Sequence, residues 1–277
     1  MHIHSLSDDA VHQQDEAHAA LEHALKTPQL YRPNRAERPP VDRTEMLKFL
    51  GYSGQTITTD LQERIDAVVA DVEEHFIPKG VFRLFPVDAN RLDTNGQPAI
   101  HLCKSTIELQ GRDIFRHLKD ATYCAVLACT LGMESERRLR TMGSATPVES
   151  AVLDAACSAA AESAIEAMDK RVQALAAQAG MKTNWRFSCG YGDCPLEVQP
   201  VLVASLNATR LIGLNVSATN LLLPSKSVTA MIGLFKGDVA DASTRPSCDG
   251  CRLRTSCPFR ARKTRCYAPI KRDVSTC

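Results

Sequence analysis

The ten residues Arg186-Phe187-Ser188-Cys189-Gly190-Tyr191-Gly192-Asp193-Cys194-Pro195 put a fixed cation, an aromatic ring and two glycines into one short stretch. Arg186 can fork onto a carboxylate or phosphate. Gly190 and Gly192 let backbone N–H and C=O groups approach a ligand, and Tyr191 can cover an aromatic or sulfonium group. These are recognition groups. No histidine follows His117, so the second half of the chain has no imidazole for a Ser–His or Cys–His pair. Neither a P-loop nor a G-x-G-x-x-G dinucleotide fingerprint is present. Residue types alone also fit a plain loop with glycine turns and an exposed arginine.

A second cluster lies near the C-terminus. Cys248, Cys251, Cys257 and Cys266 follow one another with gaps of two, five and eight residues, and Cys277 ends the sequence. A Cys-x-x-Cys pair with a third cysteine soon after suits an iron–sulfur cluster or a zinc site, and Cys266 is the expected fourth ligand. Cys189 and Cys194 would join that site if the tail folds back over the turn. Scattered free thiols are the alternative. Arg252, Arg254, Arg260, Arg262, Lys263 and Arg265 make the same tail basic, fit to dock an acidic partner or to touch nucleic acid. Only Phe259 and Tyr267 interleave as aromatics and the net charge is +1, which speaks against nucleic acid. Cys103, Cys124, Cys129 and Cys157 lie in apolar or alanine-rich runs and read as small buried hydrophobes.

The elements that must position these groups follow from apolar spacing. Residues 1–42 are polar, hold five of the eight histidines and end in breaker-rich Arg32–Pro40, which predicts a solvated extension with one short amphipathic helix. "RTEMLKFLG" reads as a helix stopped by Gly51. Leu61, Ile65, Val68, Val72 and Phe76 share a face of a second helix, opened by Thr59 and Gln62 as a capping pair. "VFRLFPV", "AIHLC" and "TYCAVLACTLG" read as strands, the last buried and ending in a turn at Thr130-Leu131-Gly132, and "DIFRHL" as a short helix. A long alanine-rich helix runs from Thr146 (N-cap), Pro147 (first position) and Glu149 (capping box) to about Gln178. Glu162 and Glu166, four apart, share one of its faces, either as a site wall or as a solvated acidic edge. "PLEVQPVLVASLNA" predicts a helix disturbed by Pro200, and "IGLNVSATNLLLP" and "SVTAMIGLFK" predict two strands joined through "PSK". This uneven grouping predicts an α+β fold with a twisted, mostly antiparallel sheet, followed by a cysteine-rich tail. The expected division is an extension over 1–42, a globular domain over 43–240 and a metal-binding tail over 245–277.

With 277 residues and 44% apolar composition the chain can bury a sizeable core. It has no apolar run of membrane-spanning length and no signal-peptide core, which predicts a cytoplasmic protein with no membrane partner. Reducing cytosol disfavours disulfides, and an odd count of eleven cysteines excludes complete internal pairing.

"RFSCGYGDCP" followed by "IGLNVSATNLLLPSKSVTAMIGL" resembles the activation domain of cobalamin-dependent methionine synthase, and more closely the stand-alone version of that domain. The family binds S-adenosylmethionine (AdoMet) through a motif of the form R-x-A-x-G-Y, matched by Arg186 to Tyr191. "AESAIE" resembles the family's A-E-A-F-A-E and puts Glu162 on its functional glutamate; "TLG", "GYGDCPLEVQ" and "PSKSVTAMIG" carry the likeness to the stand-alone version. The resemblance spans about residues 43–236. It implies that Arg186 binds the AdoMet carboxylate, that the backbone at Ser188 and Gly190 together with Tyr191 holds the rest, and that Glu162 supplies an acid. It implies as partners a corrinoid-binding methyltransferase, which brings the corrinoid, and a flavodoxin- or ferredoxin-like electron donor. The implied role is reactivation by reductive methylation; a non-catalytic AdoMet-binding adaptor with a zinc knuckle is the alternative. Three departures stand out. Ser158 lies where the enzyme has an acid one turn before the glutamate, Ser188 replaces the small apolar residue of the motif, and the enzyme's late tyrosine pair has no counterpart.

Overall fold

A computed structural model describes residues 5–142 and 146–237, together with positions 255, 257 and 260. Cys248, Cys251 and Cys266 lie outside the described residues, so of the expected metal ligands only Cys257 is among them. Helix α1 spans Ser5–Lys26, strand β1 Gln29–Tyr31, α2 Arg43–Phe49 and α3 Thr59–His75. Strands β2 (Lys79–Leu92), β3 (Pro98–Leu102) and β4 (Glu108–Leu109) form a meander, then α4 (Arg112–Leu118) leads into β5 (Tyr123–Thr130). Next come α5 (Met133–Met142), the long α6 (Pro147–Gln178) and β6 (Met181–Thr183). The chain ends its described part with α7 (Gln199–Ser205), α8 (Ala208–Ile212), the pair β7 (Asn215–Val216) and β8 (Leu222–Leu223), and β9 (Ser227–Lys236).

The main sheet runs β4-β3-β2-β5-β9-β6, with β1 pairing the start of β2, and every pairing within it is antiparallel. Its centre is buried on both faces, which is why β5 and β9 read as continuous apolar runs. Side chains alternate across the pleat. Val81, Phe85, Cys124, Val126, Met231 and Phe235 face a core shared with α4, α7 and α8. Phe82, Leu84, Leu127, Cys129, Ile232 and Leu234 face Ile165, Met168 and Val172 of α6. A third core joins α2 and α3 to the first half of α6 through Met46, Ile65, Val72, Leu153 and Cys157. The α+β architecture with an antiparallel sheet agrees with the sequence reading.

Four local readings are corrected. Thr58, not Thr59, caps α3, its hydroxyl accepting from the Leu61 N–H. Thr146 makes no side-chain cap, and Glu149 instead reaches α3, where it accepts from Arg64 Nε at 2.7 Å. The expected strand after Ile212 is a small hairpin: Asn215–Val216 turns back on Leu222–Leu223 through a Ser217 N–H to Leu221 C=O bond. Residues 15–42, read as part of a solvated extension, are folded onto the domain. Leu21, Ala24 and Tyr31 are buried in the α6-side core, β1 adds a strand beside Val81, and Arg171 lies 4.7 Å over the Tyr31 ring.

That packing generates a stability prediction. Leu21→Ala removes a core side chain and is expected to destabilise the protein by about 2–5 kcal/mol. Urea denaturation reads the change; an unaltered midpoint would return this segment to the status of a loose extension.

Candidate functional site

The segment after β6 reaches β9 through one reciprocal bridge: Phe187 N–H donates to Met231 C=O at 2.9 Å and Met231 N–H to Phe187 C=O at 2.7 Å. Phe187 packs toward the α4 side of the sheet. Alternation then sends Arg186 to the opposite side, toward α6. Its guanidinium lies 3.2 Å from Glu162 Oε2, 3.3 Å from Glu166 Oε2 and 3.6 Å from Asp169 Oδ2. One α6 face thus closes around one cation. The cluster roofs Cys129 of β5, whose thiol is pushed up to about 12 by burial, with Glu162 acting the same way and Arg186 against it. Asp169 is buried, which raises its carboxyl above the ordinary value; the Gln173 hydrogen bond at 2.9 Å and the charge of Arg186 oppose that rise.

Ser188 follows with its hydroxyl donating to Thr229 C=O at 2.6 Å, and the Thr229 hydroxyl donates to Gln199 at 2.7 Å. The turn closes through Gly190 N–H to Cys194 C=O, 2.8 Å, and Gly190 and Gly192 have φ of +86° and +57°. A Cβ on Gly192 would collide with the Asp113 carboxylate, and one on Gly190 would press on Leu196. Gly192 therefore lets the turn seat on α4 and Gly190 makes room for Leu196, packing roles beyond the ligand approach expected of them. Asp193 completes that seat, its two carboxylate oxygens accepting from Arg112 N–H and Asp113 N–H at 2.9 Å each. Tyr191 is 71% exposed. Cys189 and Cys194 are buried in the core, and burial holds both thiols above the ordinary value, Cys194 at about 12. Both pack into the core on the α4 side of the sheet, among Leu202, Leu206 and Met231, and not on an open surface. Among the described residues no group of three or more His, Cys, Asp or Glu side chains is arranged to hold a metal.

A second cation lies along the same helix. Lys226, in the joint before β9, sits 2.7 Å from Asp154 Oδ1 and donates to Ser158 Oγ at 2.8 Å. Its backbone C=O accepts from Leu131 N–H at 3.0 Å, which ties the "PSK" joint to the "TLG" turn. Asp154, Ser158, Glu162 and Glu166 repeat every four residues, so they form one inclined row on α6. The sequence reading found Glu162, Glu166 and Arg186 but missed Asp169 and Lys226; three-residue spacing from Glu166 was the available signal for Asp169, and Lys226 had none on the helix. Two clefts of about 430 and 600 Å³ lie elsewhere, around Leu50, Pro147 and Ala151. The Arg186 cluster opens to solvent as a trough along Glu162 and Glu166, 41% and 48% exposed.

Behind the turn sits His117, 6% exposed, with its ring 4.8 Å from Trp185 and 5.2 Å from Phe187. Neither ring nitrogen has a hydrogen-bond partner of good geometry, and burial pushes its pKa down to about 4, the nearby backbone of Trp185 and Met231 offsetting part. Between that value and the unfolded value of about 6.5 the unfolded chain binds a proton that the folded chain does not. Stability is therefore complete above about pH 6.5 and is lost as pH falls toward 4, by on the order of 3 kcal/mol. His117→Phe is expected to flatten that slope in urea denaturation between pH 7 and pH 4.5; an unchanged slope would assign it to other groups.

No family model matches the chain, and no curated protein sequence matches it. Among solved structures it is similar to the crystal structure of the MetH reactivation domain bound to AdoHcy, with 15% identity, a TM-score of 0.56 and 86% of each chain covered. The chain has a reactivation-domain fold, as the resemblance of its motifs implied.

Proposed function

We propose that the trough between α6 and the Arg186–Tyr191 turn binds AdoMet, and that the protein serves as a reactivation subunit for a corrinoid carried by a partner methyltransferase. The observation that carries this reading is the convergence of Glu162, Glu166 and Asp169 on Arg186, at the start of a turn that leaves Tyr191 exposed, on a fold similar to the AdoHcy-bound MetH domain.

The residues fit the ligand by charge. Three carboxylates face one guanidinium, so the cluster carries surplus negative charge. AdoMet carries an ammonium, a sulfonium and a single carboxylate, and is a net cation. Glu162 and Glu166 would face the cationic groups, Arg186 the carboxylate, and the backbone at Ser188 and Gly190 the remaining polar edge. Tyr191 would cover the sulfonium or the adenine from the solvent side. Once bound, AdoMet supplies the methyl group and leaves as AdoHcy, while the partner's corrinoid, reduced by one electron, accepts it. The chain's own contribution is positioning, with no general base required.

Isothermal titration checks the first part. The wild-type protein is expected to bind AdoMet, and Arg186→Ala to weaken binding by about 1.5–3 kcal/mol, on the order of 10- to 100-fold. Equal affinity of the two proteins would remove the site from this trough. For the reaction, a cob(II)-loaded corrinoid protein, a flavodoxin- or ferredoxin-like donor and AdoMet should together give methylcobalamin and AdoHcy. AdoMet binding with no transfer in that mixture would instead select the adaptor.

The electron side of the same proposal assigns Cys248, Cys251, Cys257 and Cys266 to an iron–sulfur cluster, with zinc as the competing metal. Support comes from their spacing and from the need for an electron where the methyl group is delivered. Protein purified without oxygen is expected to contain iron and sulfide, with a paramagnetic signal after dithionite. Stoichiometric zinc without iron would make the tail a structural knuckle.

A further inference from the structure

Two cations lean on the α6 row from the sheet side, and they differ in how fully they are neutralised. Arg186 faces Glu162, Glu166 and Asp169. Lys226 faces one carboxylate, Asp154, and the neutral hydroxyl of Ser158. Asp154 is 60% exposed while the Lys226 side chain is 11% exposed, so solvent screens the acid more than the ammonium. An ammonium has three N–H donors, and Asp154 with Ser158 accounts for two. The anionic end of a ligand lying along α6 is therefore drawn toward Lys226 as well as toward the more crowded Arg186.

The spacing along the helix agrees. Ser158, which Lys226 touches, and Glu162, which Arg186 touches, are one turn apart, about 6 Å of helix rise. A carboxylate lying between these two positions has a cation on either side, with Glu162 and Glu166 left to face the amine and the sulfonium. The departure noted at Ser158 gains a meaning from this geometry. Where the methionine synthase pattern has an acid, this chain has a neutral hydroxyl with the ammonium of a Lys226–Asp154 pair on it, so the local negative charge is cancelled. We propose that Lys226 is a specificity-determining residue, an anchor for the carboxylate of the ligand's amino-acid end, shared with Arg186. This rests on the AdoMet reading given above.

The test compares AdoMet with decarboxylated AdoMet, which keeps the sulfonium, the amine and the adenosine but lacks the carboxylate. Both are titrated into the wild-type protein, Lys226→Gln and Lys226→Arg, with thermal melts of each to establish folding. Lys226→Gln keeps a donor for Asp154 and Ser158 and so guards against a simple loss of packing. The wild type is expected to prefer AdoMet. Lys226→Gln should weaken AdoMet on the order of tenfold and leave decarboxylated AdoMet unchanged, collapsing the preference, while Lys226→Arg should restore it. Equal weakening of both ligands would reduce Lys226 to a pin for α6, and no change in either would exclude it from the site; the AdoMet reading survives both results. Wild-type protein that binds neither ligand would overturn the AdoMet reading and this assignment together.

Discussion

Helix α6 packs on β5, β6 and β9 and reaches over to β2 with Met168, whose thioether a Cβ on Gly80 would strike. That close approach governs the rest of the molecule. It is possible because α6 buries alanine at positions 155, 156, 159, 161, 164 and 176, residues that favour helix and keep the surface shallow. Brought this near, the acidic row of α6 comes within ion-pair reach of Arg186 and Lys226, both on the same side of the sheet. A bulkier helix face would hold the carboxylates away from the guanidinium. Asp169, buried with its carboxyl raised by desolvation, would then lose its cation while still lacking water.

The turn from Arg186 to Pro195 has two sides with separate duties. Phe187, Cys189 and Cys194 join the core below the sheet, and Asp193 grips the N-terminus of α4. Asn184 adds a second clamp, donating to His117 C=O at 2.8 Å while accepting from Gly233 N–H at 2.7 Å. These inward contacts fix the backbone that carries Arg186 toward α6 and leaves Tyr191 exposed. A recognition turn held only by its outward residues would have to order on binding; this one is ordered by α4, β9 and the His117 cage beforehand.

What the sequence made legible follows the strength of local signals. The buried strands, α3 and α6 were readable because each carries a long period of one kind, as in Leu61, Ile65, Val68 and Val72. Helix α1 was underread because Leu21 and Ala24 are spaced correctly but sit among histidines and glutamates that dilute the pattern. Residues 29–31 carry almost no local strand signal; pairing with β2 across fifty positions makes them a strand. In the site, Arg186 and Glu162 were found by motif, since both belong to recognisable strings. Lys226 was passed over as a joint residue, because its meaning comes from contact with Ser158, 68 positions away. The role of Gly192 was missed for the same reason, its constraint being the carboxylate of Asp113 in another element.

The surplus of carboxylates over guanidinium in the trough bears on the direction of the proposed chemistry. Glu162, Glu166 and Asp169 meet a single Arg186, so the local field favours a cation. Methyl transfer turns a sulfonium into a thioether, and AdoMet becomes AdoHcy with one positive charge fewer. The same carboxylates that hold the donor therefore hold the product less well. Lys226 sharpens the contrast without erasing it, because the amino-acid carboxylate that it would anchor is unchanged by the reaction. The exposure of Glu162 and Glu166 fits that division of labour: under the proposed function one end of the ligand would be held by charge and the other by a constant anchor, leaving the methyl group between them open to a partner.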